Sequence, residues 1–370
     1  FLMGDTEETK GLLSLVEGIE LSDSEEEVVE ECNDPAKPKD DEEKHMASSD
    51  YYWNSYAHFG IHEEMLKDEV RTRSYRNAIV NNPHLMKGKI VLDIGCGTGI
   101  LSLFAAQTGA AHVYAIDNSS IIEQAKQIAI DNNLSDKITF IRGKVEEVDL
   151  PVEKVDVIIS EWMGYFLFYE SMLDTVLFAR DKWLAKGGVL LPDRCSVSVC
   201  GIEDEEYKED KINWWDNVWG FNMSCIRKLA MLEPLVDSVD NKNVCTDHCM
   251  LLSVDLYNVK KEEINYKAPF KVKATRTDVC HALVAYFDIW FTDCHKTVHF
   301  STGPHAKYTH WKQTVLYLDE VLCIEQGEEI IGTLSSQRNK KNPRDLDIKL
   351  HYKFNGKRGD CNVHQKFFLR

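Results

Sequence analysis

Between Lys89 and Leu191 the sequence alternates short apolar strands with helices, and this alternation limits the possible folds most strongly. Apolar runs rich in β-branched residues predict strands, and segments of helical periodicity follow them. The predicted strands are Lys89–Ile94, Ala111–Ile116, Ile138–Ile141, Val155–Ser160 and Gly188–Leu191, and the predicted helices are Thr98–Gln107, Ser119–Asn132 and Glu170–Leu184. Such alternation is typical of an α/β fold with a parallel sheet covered on its faces.

After Pro192 the pattern changes to short segments of alternating polarity, such as Ser196–Cys200, His281–Phe291 and Asp347–Phe354. Turn residues separate them, which predicts a second, antiparallel domain folded as a barrel or a sandwich. One segment, Ile212–Cys225, is crowded with aromatic residues instead. Two interpretations stand equally: these aromatics form part of the barrel core, or they belong to an exposed arm that is buried against another subunit.

The charge is concentrated at one end of the chain. Residues 1–50 hold 17 acidic and 4 basic side chains, whereas the other 320 residues hold 44 and 39. We expect this acidic tail to be disordered, because it cannot bury enough apolar surface to offset its ordering entropy. The mildly acidic remainder disfavours direct nucleic-acid binding and leaves room for a cationic partner.

The 11 cysteines follow no disulfide framework, which favours a reducing compartment. No metal site is predicted from them. No apolar run reaches the length of a membrane span, so we expect no membrane partner.

A glycine motif, Asp93–Gly99, joins the first predicted strand to the first helix. Gly95 and Gly97 permit positive φ and let the backbone approach a ligand closely. Asp117, at the end of the second strand, can accept both hydroxyls of a ribose. Val145 and Glu146 follow the third strand and could line an adenine. Together they predict an S-adenosylmethionine site, because the motif lacks the third glycine of a dinucleotide fingerprint.

Two glutamates, Glu161 and Glu170, bracket a glycine and five aromatic residues after the fourth strand. Carboxylates in so apolar a loop are costly unless a cation pairs with them. A guanidinium is the natural partner, since two carboxylates can grip its planar fork. The alternative is that the two glutamates are surface acids on an ordinary loop.

This loop resembles the double-glutamate loop of the protein arginine methyltransferases. Further segments resemble other motifs of that family: Tyr52–Tyr56, His62–Arg71, Val91–Gly99 and Thr309–Trp311. The resemblance runs from about Tyr51 to the C-terminus and is closest to the predominant type I enzyme, which makes asymmetric dimethylarginine. Trp53 stands where the family usually has Phe, and Asp117 where the closest relatives have Glu.

The resemblance implies a Rossmann-like class I methyltransferase domain (51–191), which binds S-adenosyl-L-methionine. An antiparallel β-barrel domain (192–370) would follow, with a helical dimerisation arm at about 204–233. The arm, with Trp214, Trp215 and Trp219, would make a homodimer. Implied substrates are arginine-rich proteins such as histone tails and RNA-binding proteins, in the nucleus and cytoplasm. The rival functions are a small-molecule methyltransferase and a catalytically silent scaffold that binds arginine-rich tails.

Roles for individual side chains follow from the same resemblance. Glu161 and Glu170 would hold the substrate guanidinium and draw its charge away from the attacking nitrogen. His310, oriented by Asp68, would accept the released proton, or the two would form a latch between domains. The remaining expectations concern the cofactor: Arg71 pairs with its carboxylate, His62 hydrogen-bonds it, Met65 and Met172 pack around its methyl group or simply fill core, and Tyr52 closes over it.

Overall fold

The structure is a computed structural model that describes residues 56–370. The acidic tail and Tyr52 therefore lie outside the described residues. Three helices come first: α1 (Phe59–Lys67), α2 (Glu69–Val80) and α3 (Pro83–Met86). Asp68 separates α1 from α2, and its Oδ1 accepts a hydrogen bond from the Arg71 backbone N–H at 2.9 Å. Asp68 thus caps α2 at its N-terminus and leaves its second oxygen for another partner.

The parallel sheet follows. Its elements are β1 (Ile90–Ile94), α4 (Ile100–Thr108), β2 (His112–Asp117), α5 (Ile122–Asp131), β3 (Ile138–Arg142), β4 (Val155–Ser160), α6 (Leu173–Trp183) and β5 (Leu184–Leu191). The strand order is β3-β2-β1-β4-β5, and each pair is parallel. Successive strands are added on one side of β1 up to β3 and on its other side from β4 onward, so the strand order reverses between β1 and β4. Such a switch point opens a crevice at the carboxyl ends of the strands, where α/β proteins bind ligands.

Several predicted elements begin a few residues away from the predicted position, and one of these differences concerns a candidate site residue. The sequence predicts a helix from Glu170, whereas α6 begins at Leu173. Glu170 and Ser171 have φ of +73° and +59°. A left-handed backbone cannot continue a right-handed helix, so both residues stay in the preceding loop.

Antiparallel strands form the second part of the fold. They are β6 (Arg194–Ile202), β7 (Leu235–Asp237), β8 (Val244–Asp255), β9 (Tyr266–Lys273), β10 (Asp278–Phe291), β11 (Val298–Ser301), β12 (Gln313–Ile324), β13 (Glu329–Arg338), β14 (Leu346–Gly356) and β15 (Gly359–Leu369). One sheet has the order β7-β12-β10-β6-β8, with β11 beside β10, and the other has the order β15-β14-β13-β9.

Contacts at two edges join these sheets into a barrel-like body. A bridge links Thr246 to Ala274, and Gln365 on β15 bonds to the backbone of Tyr317 and Asp319 on β12. A Rossmann-like parallel sheet followed by an antiparallel barrel-like domain confirms the predicted fold class.

The aromatic segment leaves the barrel as a separate helical excursion. The whole excursion, which extends beyond Ile212–Cys225 on both sides, contains α7 (Glu205–Lys211), a 3-10 turn (Asn213–Asp216) and α8 (Ser224–Ala230). Trp219 is 92% exposed and Phe221 is 69% exposed. These two side chains are not part of the barrel core, which favours the interpretation of this segment as an exposed arm.

The two sheet systems share one continuous apolar core. Tyr75 of α2 packs edge-on against Phe291 of β10, with ring centres 5.0 Å apart. Trp311 donates its indole N–H to the Met163 carbonyl at 2.8 Å. The loop after β4 is therefore anchored to the barrel. Within residues 56–370, the helices are too short or too polar for a bilayer span.

Candidate active site

A cavity of about 240 Å³ lies at the switch point, between the parallel sheet and the barrel. It brings together most of the side chains selected from the sequence. Those that line it are Glu161, Glu170, His310, His62, Met65, Arg71, Gly95, Asp117, Val145, Glu146 and Met172. Asp68 and Gly97 lie beside the cavity and bond to residues that line it, whereas Tyr52 lies outside the described residues.

The glycine turn (Gly95–Gly99) needs its glycines for two separate reasons. Gly95, Gly97 and Gly99 have φ of +69°, +53° and +83°, which side-chain-bearing residues adopt only at a cost. A Cβ on Gly95 would also lie 2.3 Å from the Met172 Cε. The turn therefore brings bare backbone against the cavity wall, as a bound nucleoside requires.

Asp117 is oriented by two backbone donors. The Gly97 N–H reaches its Oδ2 at 2.9 Å, and the Ser119 N–H reaches its Oδ1 at 2.7 Å. A carboxylate offers about four lone-pair sites, so acceptor capacity remains for ribose hydroxyls. Glu146, at the far side, accepts from the Thr175 hydroxyl at 2.7 Å. These carboxylate acceptors fit the ribose hydroxyls and the adenine amino group of S-adenosylmethionine.

Asp93, on β1 two residues before the glycine turn begins, is fully buried. Its Oδ2 accepts from the Ser102 hydroxyl at 2.6 Å. Burial raises the pKa of Asp93 to about 7, although the hydrogen bond from Ser102 partly lowers it.

Glu161 already holds a guanidinium. The Arg71 Nε lies 2.9 Å from its Oε2, and each side chain is 8% exposed. Arg71 Nη1 reaches the Met65 carbonyl at 3.3 Å. A buried carboxylate needs such a cation, so Glu161 is fit to bind planar guanidinium groups.

Glu170 enters the cavity from a strained stretch of backbone. Its Oε2 accepts a hydrogen bond from the Tyr56 hydroxyl at 2.8 Å. Its backbone N–H donates to the Arg344 carbonyl at 2.8 Å. The second glutamate is thus held by chain segments that lie far from it in sequence.

Asp68 and His310 form a buried pair. The Asp68 Oδ2 lies 2.7 Å from the His310 Nδ1 and also accepts the His310 backbone N–H at 2.9 Å. Burial acts to raise the pKa of Asp68, but the hydrogen bonds from His310 and Arg71 outweigh it and lower that pKa. The carboxylate stays charged and orients the imidazole that faces the cavity.

Sequence reasoning missed several residues of the cavity wall. Trp162, Met163 and Thr175 could have been suspected from their place beside the glutamates. Arg344 could not, because it lies in the loop between β13 and β14, far from either glutamate in sequence. Fold alone brings it to the site.

Comparisons with known proteins show one family. The chain is 57% identical to protein arginine N-methyltransferase 1 of Chlamydomonas reinhardtii, over 91% of this chain and 96% of the relative. The chain belongs to the protein arginine methyltransferase family. It is also 57% identical to protein arginine N-methyltransferase 1.1 of Arabidopsis thaliana, over 92% of this chain and 86% of the relative.

Two family profiles divide the chain as its sheets do. A methyltransferase domain matches residues 91–188, and the arginine methyltransferase oligomerization subdomain matches residues 193–357. The chain therefore carries the part of the fold through which this family oligomerises.

Solved structures of family members share the fold. One is the Trypanosoma brucei PRMT1 enzyme-prozyme heterotetrameric complex with AdoHcy, with a TM-score of 0.84 and 47% identity over 85% of this chain and all of that one. Another is Arabidopsis thaliana protein arginine methyltransferase 10, described in a uniquely open conformation, with a TM-score of 0.78 and 28% identity over 86% of this chain and all of that one.

Proposed function

We propose that this protein transfers methyl groups from S-adenosyl-L-methionine to the guanidino nitrogens of arginine residues in proteins. The observation that carries the proposal is the cavity itself. One loop brings two glutamates, Glu161 and Glu170, into the same cavity as the glycine turn and Asp117. An acceptor site for a guanidinium thus adjoins a site for a nucleoside.

When bound, the donor supplies a methyl group made electrophilic by its sulfonium. Asp117 would hold its ribose, Val145 and Glu146 its adenine, and the Gly95–Gly97 backbone would lie along it. Arg71 would meet its carboxylate. Since Nε and Nη1 of Arg71 already have partners, Nη2 is the donor that would make this contact, and His62 would add a hydrogen bond.

The chemical difficulty is the nucleophile. Arginine has a pKa above about 12, and its lone pairs are delocalised. Carboxylates at Glu161 and Glu170 would draw the positive charge toward the nitrogens they hold and leave the third nitrogen richer in electrons. Because they are charged before the substrate arrives, little reorganisation is needed at the transition state.

The methylated guanidinium must release a proton. His310 faces the cavity, and the charged Asp68 lies against its Nδ1, so the ring can accept that proton at Nε2. The competing role is a latch between domains, since the same bond joins α2 to the barrel. The pH profile of kcat distinguishes the two roles, because replacing His310 would shift that profile only if His310 accepts the proton.

We assign the asymmetric dimethyl product to this enzyme. Met65 and Met172 both line the cavity, and Met172 Cε lies against the Gly95 backbone. Side chains packed around the methyl group would limit how a methylated arginine turns and favour a second transfer to the same nitrogen. Mass spectrometry that separates asymmetric from symmetric dimethylarginine tests this assignment.

The proposed assembly is a homodimer through the exposed aromatic arm. Trp219 and Phe221 protrude at its tip, and Trp214 is also exposed. Large exposed aromatics in one patch favour a protein interface. Sedimentation of Trp219→Ala should show a weaker dimer than the wild type, and an unchanged dimer would exclude this tip.

The proposed substrates are arginine-rich proteins such as histone tails and Gly/Arg-rich RNA-binding proteins, in the nucleus and cytoplasm. The negative net charge supports this choice, because it attracts cationic peptides. Cell fractionation with antibodies tests the location.

The decisive experiment is radiolabelled methyl transfer to a Gly/Arg-rich peptide. Wild type should label it, Glu170→Gln should not, and Glu153→Gln, at an exposed position away from the cavity, should match wild type. Equal labelling by Glu170→Gln would refute the role of that carboxylate. Labelling of free arginine but of no peptide would favour a small-molecule methyltransferase, and binding without labelling would favour a scaffold.

A further inference from the structure

Backbone strain is concentrated in the double-glutamate loop (residues 161–171). Of the residues that the structure describes, seven other than glycine have positive φ, and four of these lie in this loop: Phe166, Leu167, Glu170 and Ser171. Each such conformation costs about 1 kcal/mol or more and persists only where surrounding contacts maintain it. The contacts that hold the loop therefore decide where its glutamates point.

The first strained pair is held within the loop itself, where the Gly164 N–H donates to the Leu167 carbonyl at 3.0 Å. The second pair is held from the other domain. The Glu170 N–H donates to the Arg344 carbonyl at 2.8 Å, and the Ser171 hydroxyl donates to the Pro343 carbonyl. Both acceptors belong to the β13–β14 hairpin loop (residues 339–345), which we call the barrel hairpin.

The barrel hairpin is itself braced. The Asn339 Oδ1 accepts the N–H groups of Lys341 and Asn342 at 2.8 and 3.0 Å. At its base, Arg338 forms an ion pair with Asp174, in the first turn of α6. The hairpin thus presents the Pro343 and Arg344 carbonyls to the strained pair from a braced loop.

We propose that the barrel hairpin is a positioning element that keeps the Glu170 carboxylate in the cavity. The positioning residues are Asn339, within the hairpin, and Ser171, the residue of the double-glutamate loop that bonds to it. This inference rests on the proposed function, because the position of Glu170 matters for catalysis only if its carboxylate holds the substrate guanidinium.

The sequence indicates which conformation of the loop competes with the observed one. Helical periodicity begins at Glu170, so without the hairpin bonds the chain would extend α6 toward its N-terminus. Glu170 would then change from φ +73° to the negative φ of a helix, which is about −63°. A rotation of that size redirects the side chain away from its present position.

The test combines amide hydrogen exchange with steady-state kinetics on the full chain. Ser171→Ala removes the hydroxyl donor, and Asn339→Ala unties the hairpin. Lys340→Ala is the matched control, since Lys340 is exposed on the same hairpin. We expect both positioning variants to exchange faster in residues 166–172. Their kcat should fall about tenfold, with donor affinity within about twofold of wild type, because small misplacements near the reacting atoms are costly.

Lys340→Ala should match wild type in both measurements, and Glu170→Gln should lose activity without faster exchange. Unchanged exchange in both Ser171→Ala and Asn339→Ala would overturn the proposal, as would faster exchange with unchanged kcat. A wild type that labels no peptide would refute the proposed function, whereas exchange would still decide whether the hairpin holds the loop. If Asn339→Ala fails to fold, Ser171→Ala carries the test.

Discussion

The glycine turn after β1 and the double-glutamate loop after β4 leave adjacent parallel strands at the same edge of one sheet, yet they reach their shapes by different means. The turn adopts positive φ at Gly95, Gly97 and Gly99, where no side chain opposes it. The loop adopts positive φ at four residues that carry side chains, including Glu170.

The same contrast distinguishes two parts of the cavity. We call the part around the glycine turn and Asp117 the donor half, and the part around Glu161 and Glu170 the acceptor half. The nucleoside part of the donor half is built from the glycine turn and from the adjacent strand β2, which supplies Asp117. The acceptor half depends on contacts from α2, from Tyr56, from the barrel hairpin and from the loop that carries His310. A local motif can place a common cofactor, but a strained loop needs the second domain to hold it.

The largest effect should come from Glu161→Gln. A neutral amide cannot draw positive charge from a guanidinium, so we expect kcat to fall by about 100-fold or more. Donor affinity, measured by calorimetry, should fall much less than kcat, because Glu161 acts on the donor only through its ion pair with Arg71, whereas the glycine turn and Asp117 are unchanged. A comparable loss of donor affinity would show that the halves are not separate.

Gly95→Ala should have the converse effect. A Cβ is strained at the φ of +69°, and it would force Met172 Cε, 2.3 Å away, to move at the cavity wall. We therefore expect donor affinity to fall about tenfold or more. Gly187→Ala is the matched control, because its φ is +75° but nothing lies within 4 Å of the added Cβ. The control should lose stability and keep donor affinity. Equal donor affinity in the two variants would contradict the close approach at Gly95.

Tyr56→Phe should weaken the acceptor half moderately. It removes the hydroxyl that donates to the Glu170 carboxylate, a bond to a charged group, and we expect kcat to fall several-fold. Tyr257→Phe removes a hydroxyl that donates to Asp293 outside the cavity and should leave kcat unchanged. Steady-state kinetics at saturating donor would show the contrast, and a normal kcat in Tyr56→Phe would remove this residue from the acceptor half.

The smallest effect concerns stability near the donor half. Asp93 has a folded-state pKa of about 7, against 3.8 as the ordinary value. Between these values the folded state binds more protons than the unfolded state, so stability falls as pH rises from about 4 to 7. Asp93→Asn should lack this contribution and show a smaller loss of melting temperature over that range, by a few degrees.

Scanning calorimetry over the same pH range would measure the difference. Asp136→Asn, at an exposed site, should keep the wild-type dependence. Parallel pH curves for wild type and Asp93→Asn would mean that Asp93 is ionised throughout.

The positions of the glycine turn and Asp117 in the fold could be predicted from the sequence. The Gly95–Gly99 turn and Asp117 lie where strand ends placed them, since a parallel strand followed by a helix has few geometries. The predicted helix start at Glu170 was wrong, because local periodicity cannot register two hydrogen bonds from a hairpin about 170 residues away. The pairing of Arg71 with Glu161 escaped prediction for the same reason.

By itself, the sequence determined the family, the α/β and antiparallel order of the domains, and which side chains would gather at the carboxyl edge of the sheet. Hydrophobic period, glycine placement and residue type express these properties over short distances. Only the tertiary structure decided that the aromatic arm is exposed, that Arg344 lines the cavity, and that Glu170 stands in a strained loop. Those outcomes depend on contacts between distant segments, whose energies exceed local preferences only once the two domains have packed together.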